Sequence, residues 1–156
     1  MSSSLRQDLK KRDPFDSLEQ EAILNILRTS DILENRVARL LREYGLTPSQ
    51  YNVLRILRGE GKPLPCLEVA SRMIQVAPAI TRVVNQLLER NLIVKQQCPN
   101  DRRVFHIDLT DQARDLLGQI DQPLLELHAA QLKHVSKDDL KALIRILEST
   151  RAGIPD

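Results

Sequence analysis

The sequence predicts a mainly α-helical fold with one β-hairpin, and three observations support this class. The chain has 156 residues, which suits one ordinary domain or a domain with an extension. Apolar residues make up 42% but aromatic residues only 3%, with five Gly. This composition disfavours sandwiches and barrels, which depend on aromatic residues and Gly-rich turns. Apolar residues also recur at helical spacing along most of the chain and switch to alternation only once.

The N-terminal part predicts a flexible arm followed by one long helix. Residues 1–15 are polar and are interrupted by Pro14, which is typical of a loose arm. Ser17 begins a capping pattern, apolar residues follow at helical spacing, and Gly45 is a natural stop. The helix has about 26 residues and a length of about 40 Å, too long to be covered by one small core.

The middle of the chain, residues 47–109, predicts three helices closed by a hairpin. A capping motif starts the first helix, a short helix is expected over 64–73, and a third over 78–91. On either side of a Pro-Asn-Asp turn, apolar and polar residues then alternate with a period of two, which indicates the single hairpin. This order is that of a winged helix-turn-helix, whose third helix enters the DNA major groove.

The C-terminal part predicts two more helices, the first kinked at Pro123 and the second capped by Ser136. Their apolar faces and that of the long first helix have no obvious partner. Pairing with a second copy would give a homodimer, with 17–44 and 111–152 as dimerisation helices, although folding back as a monomer is the alternative. The length of the first helix favours the dimer. The expected interface residues are Leu18, Ile23, Leu140, Leu143, Ile144 and Leu147.

Charge is concentrated in the part of the chain that contains the third helix and the hairpin. Residues 72–106 hold six Lys and Arg against two acids, a net charge of +4, whereas residues 107–156 hold six against nine. A basic block between near-neutral and acidic flanks is typical of a polyanion-binding face, but an unevenly charged solvated surface gives the same pattern.

The third helix, on a helical wheel, turns one polar face outward. Thr methyl, Ala and Pro suit thymine methyl groups, Asn suits adenine, and Arg suits phosphate or guanine. An ordinary surface helix is the alternative interpretation. The outward residues are Pro78, Ala79, Thr81, Arg82, Asn85 and Gln86.

The hairpin tip Asp101-Arg102-Arg103 is the sharper signal, because two adjacent exposed arginines repel each other. A wing arginine can enter the minor groove, where a narrow A·T segment concentrates negative potential. Asp101 can orient the Arg103 guanidinium in a bidentate pair, which reduces the entropy lost on binding. A solvated surface ion pair is the competing interpretation. Together with the preceding helix, the tip favours a DNA-binding wing.

Three blocks at joint spacing resemble the MarR family of bacterial transcription regulators. They are YGLTPSQYNVL at 44–54, ITRVVNQLLER at 80–90, and DRR at 101–103 followed by Leu109-Thr110. The resemblance covers about residues 17–150. It implies a homodimer, joined through the first and last helices, that binds palindromic double-stranded DNA. We expect this dimer to act as a repressor that a small effector releases. The resemblance also implies that Arg103 is the minor-groove arginine, that Asp101 orients it, and that Thr81 and Arg82 touch DNA.

The start of the third helix departs from the family pattern. Relatives commonly carry charged or hydroxyl residues where this chain has Gln75, Val76, Ala77, Pro78 and Ala79. No Ser, Thr or Asp is present there to cap the helix or to bind phosphate. We therefore expect an unusually apolar base readout.

MarR-like dimers usually respond to small phenolic or other aromatic anions, so the resemblance implies an effector cleft. We expect it near Tyr44 and Tyr51, the only two tyrosines, with Arg55 one turn beyond Tyr51. Two tyrosines that simply seal the core are the alternative.

No other chemistry is indicated by the sequence. We interpret Cys66 and Cys98 as small half-buried side chains in a reducing cytoplasm, although Cys66 lies near a helix N-terminus, which could lower its pKa. We find no catalytic motif, no metal-ligand cluster, no cofactor loop, no signal peptide and no membrane span, so we expect a cytoplasmic protein that is not an enzyme. The alternative function is a helical protein-interaction adaptor that has the winged fold without DNA binding.

Overall fold

The computed structural model describes residues 4–75 and 79–155, which contain seven helices and three short strands. They form two compact units, one up to Ile120 and one from Asp121. The predicted class is confirmed. The elements are α1 (Leu5–Asp8), α2 (Leu18–Glu43), α3 (Pro48–Glu60), β1 (Leu64–Pro65), α4 (Cys66–Ser71), α5 (Ile80–Glu89), β2 (Ile93–Gln97), β3 (Phe105–Leu109), α6 (Asp111–Leu132) and α7 (Lys137–Ala152).

The long helix α2 begins and ends at the residues that the sequence indicates. Ser17 Oγ accepts the Gln20 backbone N–H at 3.1 Å, which satisfies one donor of the first turn. The Gln20 side chain reaches back to Asp16 and accepts its backbone N–H at 2.8 Å, one residue earlier than in a capping box. Gly45 then adopts φ +70, the left-handed conformation in which a helix commonly ends.

Helix α3 forms the centre of the first unit. Thr47 and Gln50 make both bonds of the expected capping box. The helix continues through Gly59 and ends at Glu60, because Gly61 rather than Gly59 adopts the left-handed conformation, at φ +72. Val53, Leu54, Ile56 and Leu57 on its apolar face are buried in a Leu- and Ile-rich core. The largest buried side chains of this unit are Leu41, Val53, Leu54, Leu57, Val69, Leu87, Leu92, Ile93, Ile107, Leu117 and Ile120.

The sheet has three strands in the order β1-β3-β2, one more than the predicted hairpin. Leu64 pairs with Ile107 and Pro65 with His106, both antiparallel. The expectation of a helix opening at Leu64 is therefore wrong: α4 begins at Cys66. Two residues are too few to show an alternating period, and proline is compatible with an edge strand.

The hairpin itself forms as predicted, with β2 antiparallel to β3 and Ile93 opposite Leu109. Before it, Asn91 adopts φ +54, a conformation that asparagine tolerates well. After it, Thr110 Oγ1 donates to the Asn91 carbonyl at 2.8 Å and accepts the Ala113 N–H at 3.2 Å. One threonine thus ties the start of the wing to the start of α6.

The second unit holds the C-terminal part of α6 and all of α7. Pro123 lies inside α6, which continues through it to Leu132. Ser136 caps α7 as predicted, since its Oγ accepts the Asp139 N–H at 3.1 Å. No helix in the described part of the chain is long and apolar enough to cross a bilayer.

The N-terminal segment, which the sequence predicts as a loose arm, contains the helical turn α1. Ser4 and Gln7 make a capping box around it, and Leu5 is buried. The Lys11 ammonium lies 5.6 Å from the centre of the Phe15 ring.

Candidate nucleic-acid interface

Helix α5 buries one face and exposes the other, as the helical wheel predicts. Val84 and Leu87 are buried, whereas Thr81, Arg82 and Asn85 are exposed. Three of the residues proposed to read bases therefore lie on the solvent side of a helix that is packed on its other side.

The residues before α5 belong to the same predicted site. Gln75 and Ala79 are exposed, and Ala79 occupies the N-cap position without any side-chain acceptor. Two further predicted contacts, Ala77 and Pro78, lie outside the described residues. The helix begins at Ile80, so the described part of its N-terminus has the uncapped, apolar character that the sequence indicates.

Gln86 has a protein partner that the sequence does not reveal. It is half-buried, and its Oε1 accepts a hydrogen bond of 3.1 Å from Gln50 Nε2. Gln50 is itself buried in the first turn of α3. The Gln86 carbonyl is therefore engaged within the protein, whereas the wheel placed this residue with the outward, base-reading set.

Arg90 follows α5 and bonds back to the turn between α2 and α3. Its Nη1 donates to the Gly45 carbonyl at 2.6 Å and lies 3.5 Å from Gln50 Oε1. The sequence offers no local signal for this contact, because 45 residues separate the two partners.

The wing tip is ordered by backbone hydrogen bonds around Asp101. The Cys98 N–H donates to the Val104 carbonyl at 2.9 Å, and the Val104 N–H donates to the Asp101 carbonyl at 3.1 Å. Asp101 Oδ1 accepts the backbone N–H of Arg103 at 2.9 Å, an Asx turn. The expected bidentate pair with the Arg103 guanidinium is not formed, because the carboxylate is directed at the backbone two residues on.

Arg102 and Arg103 are both exposed, and neither makes an ion pair in the described part of the chain. The Arg102 carbonyl accepts a hydrogen bond of 2.8 Å from Gln97 Nε2, which fixes the tip backbone further. The wing thus presents two unpaired guanidinium groups on an ordered turn, and guanidinium groups are common donors to phosphate oxygens.

Lys95 and Phe105 form a contact on the wing that the sequence reasoning missed. The Lys95 ammonium lies 4.3 Å from the centre of the Phe105 ring. In the observed register Lys95 faces Ile107 and Gln97 faces Phe105, so Lys95 and Phe105 are diagonal neighbours on one face. The alternation of the hairpin was the signal that could have revealed the pair.

An ion cluster joins the ends of α3 and α4. Arg72 contacts Glu60 at 2.6 Å and also pairs with Glu68, while Lys62 lies 3.3 Å from Glu60. The hydrogen bond from Arg72, together with that from Lys62, lowers the pKa of the Glu60 carboxyl below its ordinary value. Glu60 and Glu68 in turn raise the pKa of Arg72. The cluster connects α3 to α4, the two helices that precede α5.

The three residues expected in an effector cleft differ in their surroundings within the described part of the chain. Tyr51 is half-buried, and the exposed Arg55 donates to Asn52 Oδ1 at 2.8 Å. Tyr44 alone borders an open cavity of about 510 Å³ in the first unit. The cavity is lined by Tyr44, Arg90, Leu92, Gln112, Asp115, Leu116 and Gln119.

Both cysteines are half-buried free thiols. Burial raises the pKa of the Cys66 thiol, and the nearby Lys95 ammonium opposes this effect without cancelling it. The direction is opposite to the lowering that a position near a helix N-terminus suggests. Within residues 4–75 and 79–155, no three His, Cys, Asp or Glu side chains are grouped in a way that could hold a metal ion.

Comparison with known proteins gives a consistent result. A sequence profile of the MarR family matches residues 46–105. The uncharacterized HTH-type transcriptional regulator YkoM of Bacillus subtilis strain 168 is 29% identical over 146 residues, which cover 90% of this chain and 92% of YkoM.

Solved structures extend the likeness to the fold. A MarR transcription factor from Planctomyces limnophilus is 37% identical, with a TM-score of 0.66 over 86% of this chain and 98% of the other. The organohalide-sensing regulator RdhR, in its 2,4-dichlorophenol-bound form, has a TM-score of 0.81 at 18% identity, over 91% of this chain and 86% of RdhR. The sequence likeness over almost the whole Planctomyces protein, with the exposed helix face and the arginine wing, shows that this chain belongs to the MarR family of DNA-binding transcription regulators.

Proposed function

We propose that the protein is a homodimeric repressor that binds a palindromic operator and is released from it by a small aromatic or phenolic effector. The observation that carries this proposal is the wing tip, where Arg102 and Arg103 extend unpaired side chains from a turn ordered by Asp101. An ordered backbone with free cationic side chains loses little conformational entropy when it binds an anion.

Each part of the interface has a distinct role in this proposal. Arg103 enters the minor groove, where a narrow segment concentrates negative potential. Arg82 contacts phosphate or guanine, and Asn85 contacts adenine in the major groove. Thr81 and Ala79 present methyl groups suited to thymine. The exposed contact residues of α5 supply sequence readout, and the wing supplies most of the electrostatic attraction.

The dimer is supported by apolar side chains that the single chain leaves exposed. On α2, Leu18 and Ile23 are 79% and 57% exposed. On α7, Leu143 and Ile144 are 44% and 57% exposed, while Leu140 and Leu147 are half-buried. Exposed apolar side chains on each of these helices mark an interaction site, and a second copy of the chain is the occupant that a palindromic operator requires.

Effector release requires a ligand that binds the DNA-incompetent arrangement more tightly than the competent one. A preference of about tenfold corresponds to about 1.4 kcal/mol of coupling, so a weak ligand is sufficient. The dichlorophenol-bound form of RdhR shares the fold and supports the class of ligand. Tyr44 is the one expected effector residue that borders the open cavity of the first unit.

The experiment that tests this function begins with selection of bound sequences from a random duplex pool. We expect a palindrome whose half-sites lie about 34–36 Å apart, or a multiple of that distance, bound by two chains. Reporter transcription from a promoter that contains this palindrome should fall when the protein is added and recover with a benzoate- or chlorophenol-like acid. Failure to enrich any sequence, with no salt-sensitive binding to duplex at low salt, would favour the interaction adaptor.

A further inference from the structure

Gln50 is a buried side chain with bonds in two directions. Its Oε1 accepts the Thr47 N–H at 3.1 Å, which completes the cap of α3. Its Nε2 donates to Gln86 Oε1 on the recognition helix α5 at 3.1 Å. Gln50 is only 7% exposed, so it lies out of reach of DNA. One amide therefore connects the start of α3 to the recognition helix.

Arg90 makes a second connection one turn further along the chain. Its Nη1 donates to the carbonyl of Gly45, in the turn that joins α2 to α3. The fit is close, because a Cβ added at Gly45 would lie 3.2 Å from Arg90 Nη2. Residues four apart share one side of a helical path, so Gln86 and Arg90 face the same neighbouring segment.

The two connections fix one end of α5 and leave the other end free to tilt. Both lie at the C-terminal end of α5, whereas Thr81 and Arg82 lie near its N-terminal end. The rise of an α-helix separates position 81 from position 90 by about 13 Å, so a tilt of about 5° at the held end moves the other end by about 1 Å. Hydrogen bonds to base edges weaken steeply over such a displacement.

We propose that Gln50 and Arg90 are positioning residues for DNA readout, which fix the angle of the recognition helix to the α2–α3 turn and do not touch DNA themselves. This inference rests on the proposed function, since it concerns how the same interface recognises its operator. The α2–α3 turn follows the C-terminal end of α2, the helix that carries the proposed dimer surface. We call the contacts among Gln50, Gln86, Arg90 and Gly45 the clamp. The clamp therefore connects α2 to the recognition helix.

The main test compares Arg90→Met with Arg90→Lys. Arg90→Met keeps the length of the side chain but removes the bond to Gly45, whereas lysine retains a donor. We expect Arg90→Met to bind the selected operator about tenfold more weakly. This loss of affinity is the size expected when one charge-assisted hydrogen bond is removed. Affinity for a scrambled duplex should stay unchanged, and Arg90→Lys should recover most of the operator affinity.

Salt dependence separates positioning from direct contact. A lost phosphate contact reduces the slope of log K against log salt by about one, whereas a misaligned helix leaves that slope unchanged. A reduced slope in Arg90→Met would therefore overturn the proposal, as would wild-type operator affinity. Absence of operator binding by the unaltered protein would instead overturn the proposed function itself.

Gln50 provides an independent arm with a matched control. Gln50→Met should show the same selective loss of operator affinity, while Gln50→Glu keeps an acceptor for Thr47 and lets the Gln86 amide donate, and so should bind as the unaltered protein does. Thr47→Ala weakens the same helix cap but leaves the bond to Gln86 in place. If Thr47→Ala lost operator affinity as much as Gln50→Met at equal folded fraction, general destabilisation would explain the result and the clamp would be rejected.

Discussion

Asp101 accepts the backbone N–H of Arg103 at 2.9 Å and leaves the Arg103 side chain extended into solvent. The acid thus orders the turn on which the arginine stands, while the guanidinium remains free for a partner. The electrostatic attraction of the wing and its local stability therefore depend on two different residues, and substitutions should separate them.

Arg103→Ala should abolish most specific operator binding and leave the fold intact. The side chain lies on an exposed tip and makes no contact with the core, so the melting temperature should change little. Operator titration and thermal melting check the two expectations. The matched control is Arg12→Ala, an exposed arginine that precedes α2. Unchanged operator affinity in Arg103→Ala would reject the wing as a DNA contact.

Asp101→Asn should bind the operator nearly as well as the unaltered protein, whereas Asp101→Ala should bind more weakly. Asparagine retains a side-chain oxygen that accepts the Arg103 N–H, but it cannot form an ion pair with a guanidinium. Titration of both variants distinguishes the observed Asx turn from the bidentate pair. Equal losses in the two variants would show that the negative charge, and not the turn, is needed.

Leu143→Asp combined with Leu147→Asp should produce monomers or unfolded chain. If both leucines are buried between two copies, each contributes about 1.5–3 kcal/mol of apolar burial, and a buried aspartate adds a desolvation cost. Light scattering over a dilution series measures the oligomeric state. A stable folded monomer of the unaltered protein would contradict the dimer.

Local features of the fold were predictable, because their signals lie within a few residues of each other. The caps at Ser17, Thr47 and Ser136 follow from side chains that accept a backbone N–H three residues on. The left-handed end at Gly45 follows from the missing Cβ of glycine. The exposed face of α5 follows from the period of its apolar residues.

Contacts between distant segments were not predictable. The bond from Gln50 to Gln86 spans 36 residues and that from Arg90 to Gly45 spans 45, so neither can be inferred before the helices are packed. The pairing of β1 with β3 was missed for the same reason. The role of Asp101 was a different case, since the local sequence permits both an Asx turn and an ion pair with the Arg103 guanidinium. Only the geometry distinguishes the two.

Gly45→Ala should lower the free energy of unfolding by at least about 1–2 kcal/mol, the cost of a left-handed conformation for an L-residue. The added methyl group would also lie 3.2 Å from Arg90 Nη2 and would disturb that contact. Gly59→Ala is the matched control, because Gly59 lies inside α3 with open space around its Cβ position. That variant should gain about 0.5–1 kcal/mol. Denaturant unfolding measures both values, and equal effects would contradict the assignment at Gly45.

Glu60→Gln should destabilise the protein at neutral pH, and the difference should disappear in acid. The pKa of the Glu60 carboxyl is lowered in the folded protein by hydrogen bonds from Arg72 and Lys62, so the unfolded chain takes up its proton at a higher pH than the folded one. The stabilisation is therefore complete above the ordinary value of 4.5 and is lost as the pH falls through the lowered folded pKa. Thermal melting of both proteins at pH 7 and at a series of acidic pH values measures the difference.

In an Arg72→Gln background the same substitution should have a smaller and less pH-dependent effect, because the main partner is gone. A difference between the unaltered protein and the Glu60→Gln variant that persisted undiminished in strong acid would show that packing, and not the ion cluster, is responsible.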